Sequence, residues 1–245
     1  MSHSPSSPSY VNPPMSDLAV LTAPTRVAPS APRGWRRALV LAVPPTFAAL
    51  TLFHPEEDPH QLGSGVTQWL LVHTAQLVLT VLLAYAIWIL LEGLTGWGAR
   101  LARAAVPVFL VFFSAFDAVA GLATGWLERD AHHHHVTEQV TIRSAIDELF
   151  NGNWLAGNLS IAGGTSAVAW LAITIGAAVA LHKAGAGRLS VTAMAVAALF
   201  ANHPPPLGTA GLLALSAAAY TWDRQLRHRQ PRASVTATVE RGDRR

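Results

Sequence analysis

Long apolar runs separated by short polar clusters set the pattern of this 245-residue chain. A helix rises ~1.5 Å per residue and the bilayer hydrocarbon is ~30 Å thick, so about 20 apolar residues cross it. Four runs approach that length: Trp35 to Phe53, Val66 to Leu91, Leu101 to Leu127 and Leu155 to Leu181. The first carries Pro44 and Pro45 at mid-depth, where two missing backbone donors predict a kink. A fifth apolar stretch extends from Leu189 to Trp222 and is interrupted by Asn202-His203-Pro204-Pro205-Pro206. As one helix it would be ~51 Å long, too long even with strong tilt. Three consecutive prolines do not fit a helix interior. The pattern therefore predicts two short helices, Gly187–Ala201 and Leu207–Trp222, joined by a turn, with local thinning of the bilayer around them. The alternative is a five-span chain broken at mid-membrane.

Between the third and fourth runs, Ile142, Ala145, Ile146, Leu149 and Phe150 recur at helical spacing against Arg143, Asp147 and Glu148. This predicts a short amphipathic helix on the outer surface, stopping at Asn151-Gly152. The expected fold class is all-α: a polytopic membrane helix bundle of about six transmembrane helices plus the surface helix. Residues 1–33, rich in Ser, Pro and Ala, are expected to be a disordered tail, 34–223 the bundle, and 224–245 a basic disordered tail.

Charge chooses between six spans and five. With the N-terminus inside, Arg26, Arg33, Arg36, Arg37, Arg100, Arg103, Lys183 and Arg188 fall on the cytoplasmic side, together with seven arginines from Arg224 to Arg245. The outer loops hold only Arg129 and Arg143, alongside Glu56, Glu57, Asp58, Glu128, Asp130, Glu138, Asp147 and Glu148. That is the positive-inside distribution, and five spans would send the basic tail outside. The expected location is a cell membrane with both termini cytoplasmic. Trp69, Trp126 and Trp154 fall at predicted outer boundaries, and Trp35, Trp88, Trp97 and Trp222 near inner ones.

Composition supports a bilayer environment. Hydrophobic residues make up 51% and charged residues 13%, about half the charge of a soluble domain. No cysteine is present, which excludes disulfides, thiolate metal ligands and a cysteine nucleophile. The excess of arginine over lysine, with abundant Ala, Gly and Pro, suggests a high-GC bacterial source. The basic tail reads as an orientation signal and anionic-lipid contact, so the expected partner is the lipid bilayer and no nucleic acid. Oligomeric state is not legible.

Intramembrane ionisable residues are costly and each calls for a partner. Asp117 lies ~15 Å and His73 ~10 Å below the outer surface. Trp69, His73, Gln76 and Thr80 share one helix face, as do Ser114, Asp117, Gly121 and Thr124. Gly121 and Gly125 form a small-xxx-small pair that permits close helix approach. The expected arrangement turns these polar faces toward each other, with Asp117 meeting His73 directly or through water.

His54 and His203 each precede a proline at the end of a predicted helix, which aims imidazoles at the bundle mouth. His54, His73, His203 and Asp117, or Glu56 or Glu57, provide nitrogen and oxygen ligands suited to a divalent metal such as zinc. No compact ligand motif, phosphate loop or nucleophile elbow is present. The alternatives of a metal or proton site, a membrane-embedded metal-dependent enzyme, and a scaffold whose polar residues only hold helices together stay open. His132–His135 is expected to be a solvated run in a loop amid acidic residues, with divalent-metal scavenging as the alternative, and Glu92 a helix-end partner of Arg100 or Arg103.

Overall fold

The computed structural model describes residues 29–55, 65–152, 154–155, 157 and 160–229. Most of both expected tails lies outside the described residues, as do Glu56, Glu57, Asp58 and His60. The regular elements among the described residues are all helical. In chain order they are α1 (Gly34–Thr51), α2 (Val66–Leu90), α3 (Trp97–Phe116), α4 (Thr124–Ala131), α5 (Val136–Asp147), α6 (Ile161–Lys183), α7 (Arg188–Val196) and α8 (Leu207–Arg229). A π-helical segment, Asp117–Ala123, joins α3 to α4. A second π turn, Glu148–Gly152, ends α5, and a tight 3-10 turn, Ala197–Ala201, extends α7.

Among the described residues three helices are long and apolar enough to cross a membrane: α2, the continuous rod Trp97–Ala131, and α6, with mean hydropathies of 2.0, 2.0 and 1.8. This corrects the expectation of six helices of that kind. α1 has 18 residues and begins with Arg36 and Arg37 in its first turn. The apolar stretch Arg188–Ala201 is shorter still. α8 carries Asp223, Arg224, Arg227 and Arg229 in its last two turns, which dilutes its hydropathy.

α3 and α6 form the most extensive helix pair. Glycines permit it: a Cβ on Gly98 would lie 2.6 Å from the Gly176 carbonyl oxygen, and a Cβ on Gly176 equally close to that of Gly98. Such backbone approach is the usual way helices associate in a medium that supplies no hydrophobic drive between them. α1 packs between α2 and α8, and α7 between α6 and α8.

One end of the bundle is tied by charge. Arg36 pairs with Glu92, and Arg37 and Arg227 each donate to Asp223 Oδ2 at 3.1 Å. Glu92 therefore does not pair with Arg100 or Arg103 as expected. Arg103 instead donates to the Leu94 carbonyl at 2.7 Å, satisfying an acceptor just past the end of α2. Arg229 caps α6 in the same way through the Ala184 and Gly185 carbonyls.

The opposite end carries the turn after α1, the turn before α8, and α5. The surface helix begins earlier than expected, at Val136, and its π turn closes at Gly152, where the sequence pattern stops it. Ile146 anchors it and is fully buried. Beneath it Glu128, 1% exposed, is 3.6 Å from both Arg143 and His132. Two tryptophans depart from the expected belt positions: Trp69 and Trp222 are buried, whereas Trp35, Trp88, Trp97, Trp126 and Trp154 are exposed.

Candidate functional site

The polar face expected on α2 turns inward, and all four of Trp69, His73, Gln76 and Thr80 are buried. Trp69 and His73 meet the π segment at Gly121. Single π turns inside α-helices occur often at functional sites, because the slipped hydrogen-bond ladder frees carbonyls and re-aims side chains. Here the slip begins at Asp117 itself. The Gly121 carbonyl accepts from Trp69 Nε1 at 2.6 Å and from the Thr124 hydroxyl at 3.2 Å.

The small-xxx-small pair serves side chains rather than backbones. A Cβ on Gly121 would fall 2.2 Å from His73 Cδ2, and one on Gly125 2.6 Å from Trp69 Cδ1. Both rings thus lie directly against a glycine.

Tautomers follow from the hydrogen bonds. His73 Nδ1 lies 2.8 Å from the Trp69 carbonyl, and His54 Nδ1 lies 2.8 Å from the Pro55 carbonyl. A carbonyl oxygen can only accept, so both Nδ1 atoms carry the proton and both Nε2 atoms present lone pairs. His54 Nε2 is buried with no hydrogen-bond partner. His73 Nε2 lies 4.0 Å from Asp117 Oδ1, too far for a hydrogen bond, and Asp117 Oδ2 is buried without a partner.

His203 completes the group from the turn before α8. Gly208 sets its height, since a Cβ there would meet the His203 carbonyl oxygen at 1.8 Å. The His54 ring centroid lies 5.0 Å from that of His73 and 5.6 Å from that of His203. His203 packs edge-on against Phe113 and Phe116 at 5.7 and 5.5 Å.

All four sequence-predicted residues, His54, His73, Asp117 and His203, line one cavity of about 270 Å³, with Trp69, Phe116, Gly121 and Phe150 among its other walls. Burial lowers the His54 pKa against a smaller opposing effect of its hydrogen bond to Pro55. Burial, reinforced by the neighbouring His54 and His73, pushes His203 down to about 3. Both rings outside the helices are therefore neutral near pH 7. As the rings stand, no three His, Asp or Glu side chains among the described residues are arranged to hold a metal ion.

No family model matches this chain, and neither does any curated protein or solved structure. The site is therefore read from its own geometry.

Phe116 and Phe150 were not anticipated as walls. Phe150 was legible only as part of the apolar face of the surface helix, which brings it over the pocket mouth. The histidine run is partly engaged at the surface: His134 contacts Asp130 at 3.4 Å and Glu138 at 3.0 Å. Glu138 also accepts the His135 backbone N–H at the start of α5.

Further down α2, both amide atoms of Gln76 and the Thr80 hydroxyl are buried and unpartnered. Below them the helix presents Leu83, Ala84 and Ile87 to the core. The polar column therefore ends inside the bundle.

Proposed function

We propose that this chain is a multi-pass protein of the cell membrane that binds a divalent metal ion such as zinc at its outer face through His54, His73, His203 and Asp117. The observation that carries the reading is the pair of imidazoles whose Nδ1–H groups are committed to backbone carbonyls while their Nε2 lone pairs are left over. Ligating histidines typically have this outer arrangement, because the second nitrogen's hydrogen bond fixes tautomer and ring orientation. The unpartnered Asp117 oxygen supplies an anionic ligand. A 2+ ion offsets the burial of that carboxylate, which otherwise has no counter-charge at hydrogen-bond distance. Binding requires the turns that carry His54 and His203 and the Asp117 side chain to close on His73, with both Nδ1–H bonds kept, until the ligand atoms reach ~2.0–2.2 Å from a common ion.

The topology that goes with this reading has six crossings. α1, the α7 stretch and α8 pass beside the three long helices, with the arginine-rich end in the cytoplasm. The ion-paired ends of α1, α2 and α8 meet at one level, through Arg36, Arg37, Glu92 and Asp223. The other ends of α1 and α8 meet through Thr51 and Thr209, whose hydroxyls are 2.8 Å apart, and Gln68 near the start of α2 donates to the Phe53 carbonyl at 2.8 Å. Helices matched at both ends traverse the same thickness. Ion passage across the bundle is disfavoured by the apolar closure below Thr80. A metal-dependent enzyme is the second reading, favoured by the open cavity beside the ligands, where a metal-bound water would act as nucleophile or base.

Metal content of the purified protein, measured by mass spectrometry after zinc loading and dialysis, tests the proposal. Wild type should retain about one ion per chain, and His73→Ala and Asp117→Ala should retain almost none. Negligible zinc in all three removes the metal site.

A further inference from the structure

A second cavity, of about 350 Å³, lies between α3, α6 and the turn before α8. Phe109, Phe113, Phe116, Trp170 and Phe200 form its inner lining. The polar groups along its length are already engaged. Ser160 Oγ accepts from the Gly163 N–H, Ser166 donates to the Gly163 carbonyl, and Trp170 Nε1 donates to the Ala197 carbonyl. An occupant therefore meets the five aromatic rings at the inner end, engaged polar groups along α6, and uncommitted polar side chains at Asn202 and His203. That distribution suits an amphiphile whose aliphatic chain lies against the rings.

The cavity reaches the side of the bundle at Gly164. A Cβ on Gly164 would meet nothing within 4 Å. Ile161 and Val168 stand three residues before it and four after it, on the same helix face, and are 48% and 66% exposed. α6 is one of the three helices able to cross a membrane, so this mouth opens among groups that face hydrocarbon. At its other end the cavity shares Phe116, His203 and Pro204 with the histidine pocket. One molecule spanning both spaces would have an apolar chain on one side of His203 and a polar group on the other.

We propose that the aromatic cavity holds the acyl chain of a membrane lipid whose polar end lies in the His54–His73–His203–Asp117 pocket. This rests on the metal-site reading for the polar end, whereas the chain site stands on the cavity alone. An oxygen-bearing headgroup is the matching chemistry, since a bound divalent ion takes oxygen ligands.

The full chain in lipid nanodiscs, given palmitic acid with a mid-chain diazirine and irradiated, tests this by peptide mapping. Residue-resolved adducts are expected on the cavity-lining Phe109, Phe113, Phe116 and Phe200, with loss of these in Gly164→Phe and in the smaller Gly164→Leu. Both side chains would project into open space at a position where glycine is itself a poor helix former, so the fold should hold. Labelling at the outward Val111 should persist as an internal control for contact with bulk lipid. Cavity adducts that are unchanged in both variants, or adducts confined to outward positions such as Val111, overturn the proposal. Zinc content is read on the same samples. Retained zinc with lost adducts supports both ends of the proposal. No zinc in any sample, with adducts still blocked by the Gly164 substitutions, overturns the metal reading and supports the chain site.

Discussion

Replacing Gly121 by alanine should disable the site through one methyl group. The added Cβ would lie 2.2, 2.7 and 3.0 Å from Cδ2, Cγ and Nε2 of His73, against an ordinary carbon contact of about 3.5–4.0 Å. The imidazole cannot swing aside cheaply. It is 3% exposed, its Nδ1 is bonded to the Trp69 carbonyl, and the Trp69 ring sits 4.4 Å from it. Trp69 is itself tied to the Gly121 carbonyl.

Overpacking of a tight site costs about 1–3 kcal/mol, and this clash is severe enough for the upper half of that range. Loss of the His73 hydrogen bond adds about 1 kcal/mol, while exchanging glycine for alanine in a helix returns about 1 kcal/mol. The net expectation is a destabilisation of about 2 kcal/mol. Gly164→Ala is the matched control, because it brings the same helix-propensity gain with nothing within 4 Å of the new Cβ. The pair would be compared by denaturant-induced unfolding in mixed micelles and by zinc affinity against a competing chelator. Gly121→Ala should unfold at lower denaturant than both wild type and Gly164→Ala. It should bind zinc about 10- to 100-fold more weakly, the usual range when support around a ligand is disturbed. Equal stability and equal affinity of the two variants would refute the packing of His73 on Gly121.

Two further outcomes follow from the same structure. The chain has no cysteine, so Asn202→Cys provides a single thiol in the exposed turn before α8. In intact cells it should react with an impermeant maleimide, and labelling only after lysis would rule out an outward-facing turn and the six-crossing topology with it. At the α4–α5 corner, the hydrogen bond that His134 donates to Glu138, helped by Asp130, raises the His134 pKa above 6.5. The contribution of His134 to that corner is therefore fully present below the unfolded value and is lost as pH rises through the folded one. An NMR titration should put its midpoint above 6.5 and return it toward 6.5 in Glu138→Gln; a wild-type midpoint at or below 6.5 contradicts the contact.

Much of the candidate site was readable because its members obey local rules. Helical spacing puts Trp69, His73, Gln76 and Thr80 on one face, and the glycine pair marks where a neighbour comes close. The residues that misled did so for a common reason. Trp69 and Trp222 were assigned by height in the membrane, but burial depends on lateral position, and each turns toward the bundle interior. Glu92 has arginines nearby in sequence, yet its partner Arg36 lies 56 residues away. Glu128 reads as a loop acid and is instead covered by α5, through Arg143, and by His132 just past the end of α4.

The amino-acid order alone determines that the chain is helical and membrane-like, because long apolar runs satisfy their backbone internally only as helices. It also determines which residue types stand near the ends of those runs. Tertiary structure decided the rest. It distinguished three helices of full spanning character from their shorter companions. It opened the π slip at Asp117, a change in hydrogen-bond register that carries no residue signature of its own. It brought His54, His73 and His203, separated by up to 149 residues, around one cavity. Periodicity fixes the direction of a side chain relative to its own helix axis; the rotation and depth of one helix against another come from packing between residues far apart in the chain, which no local pattern encodes.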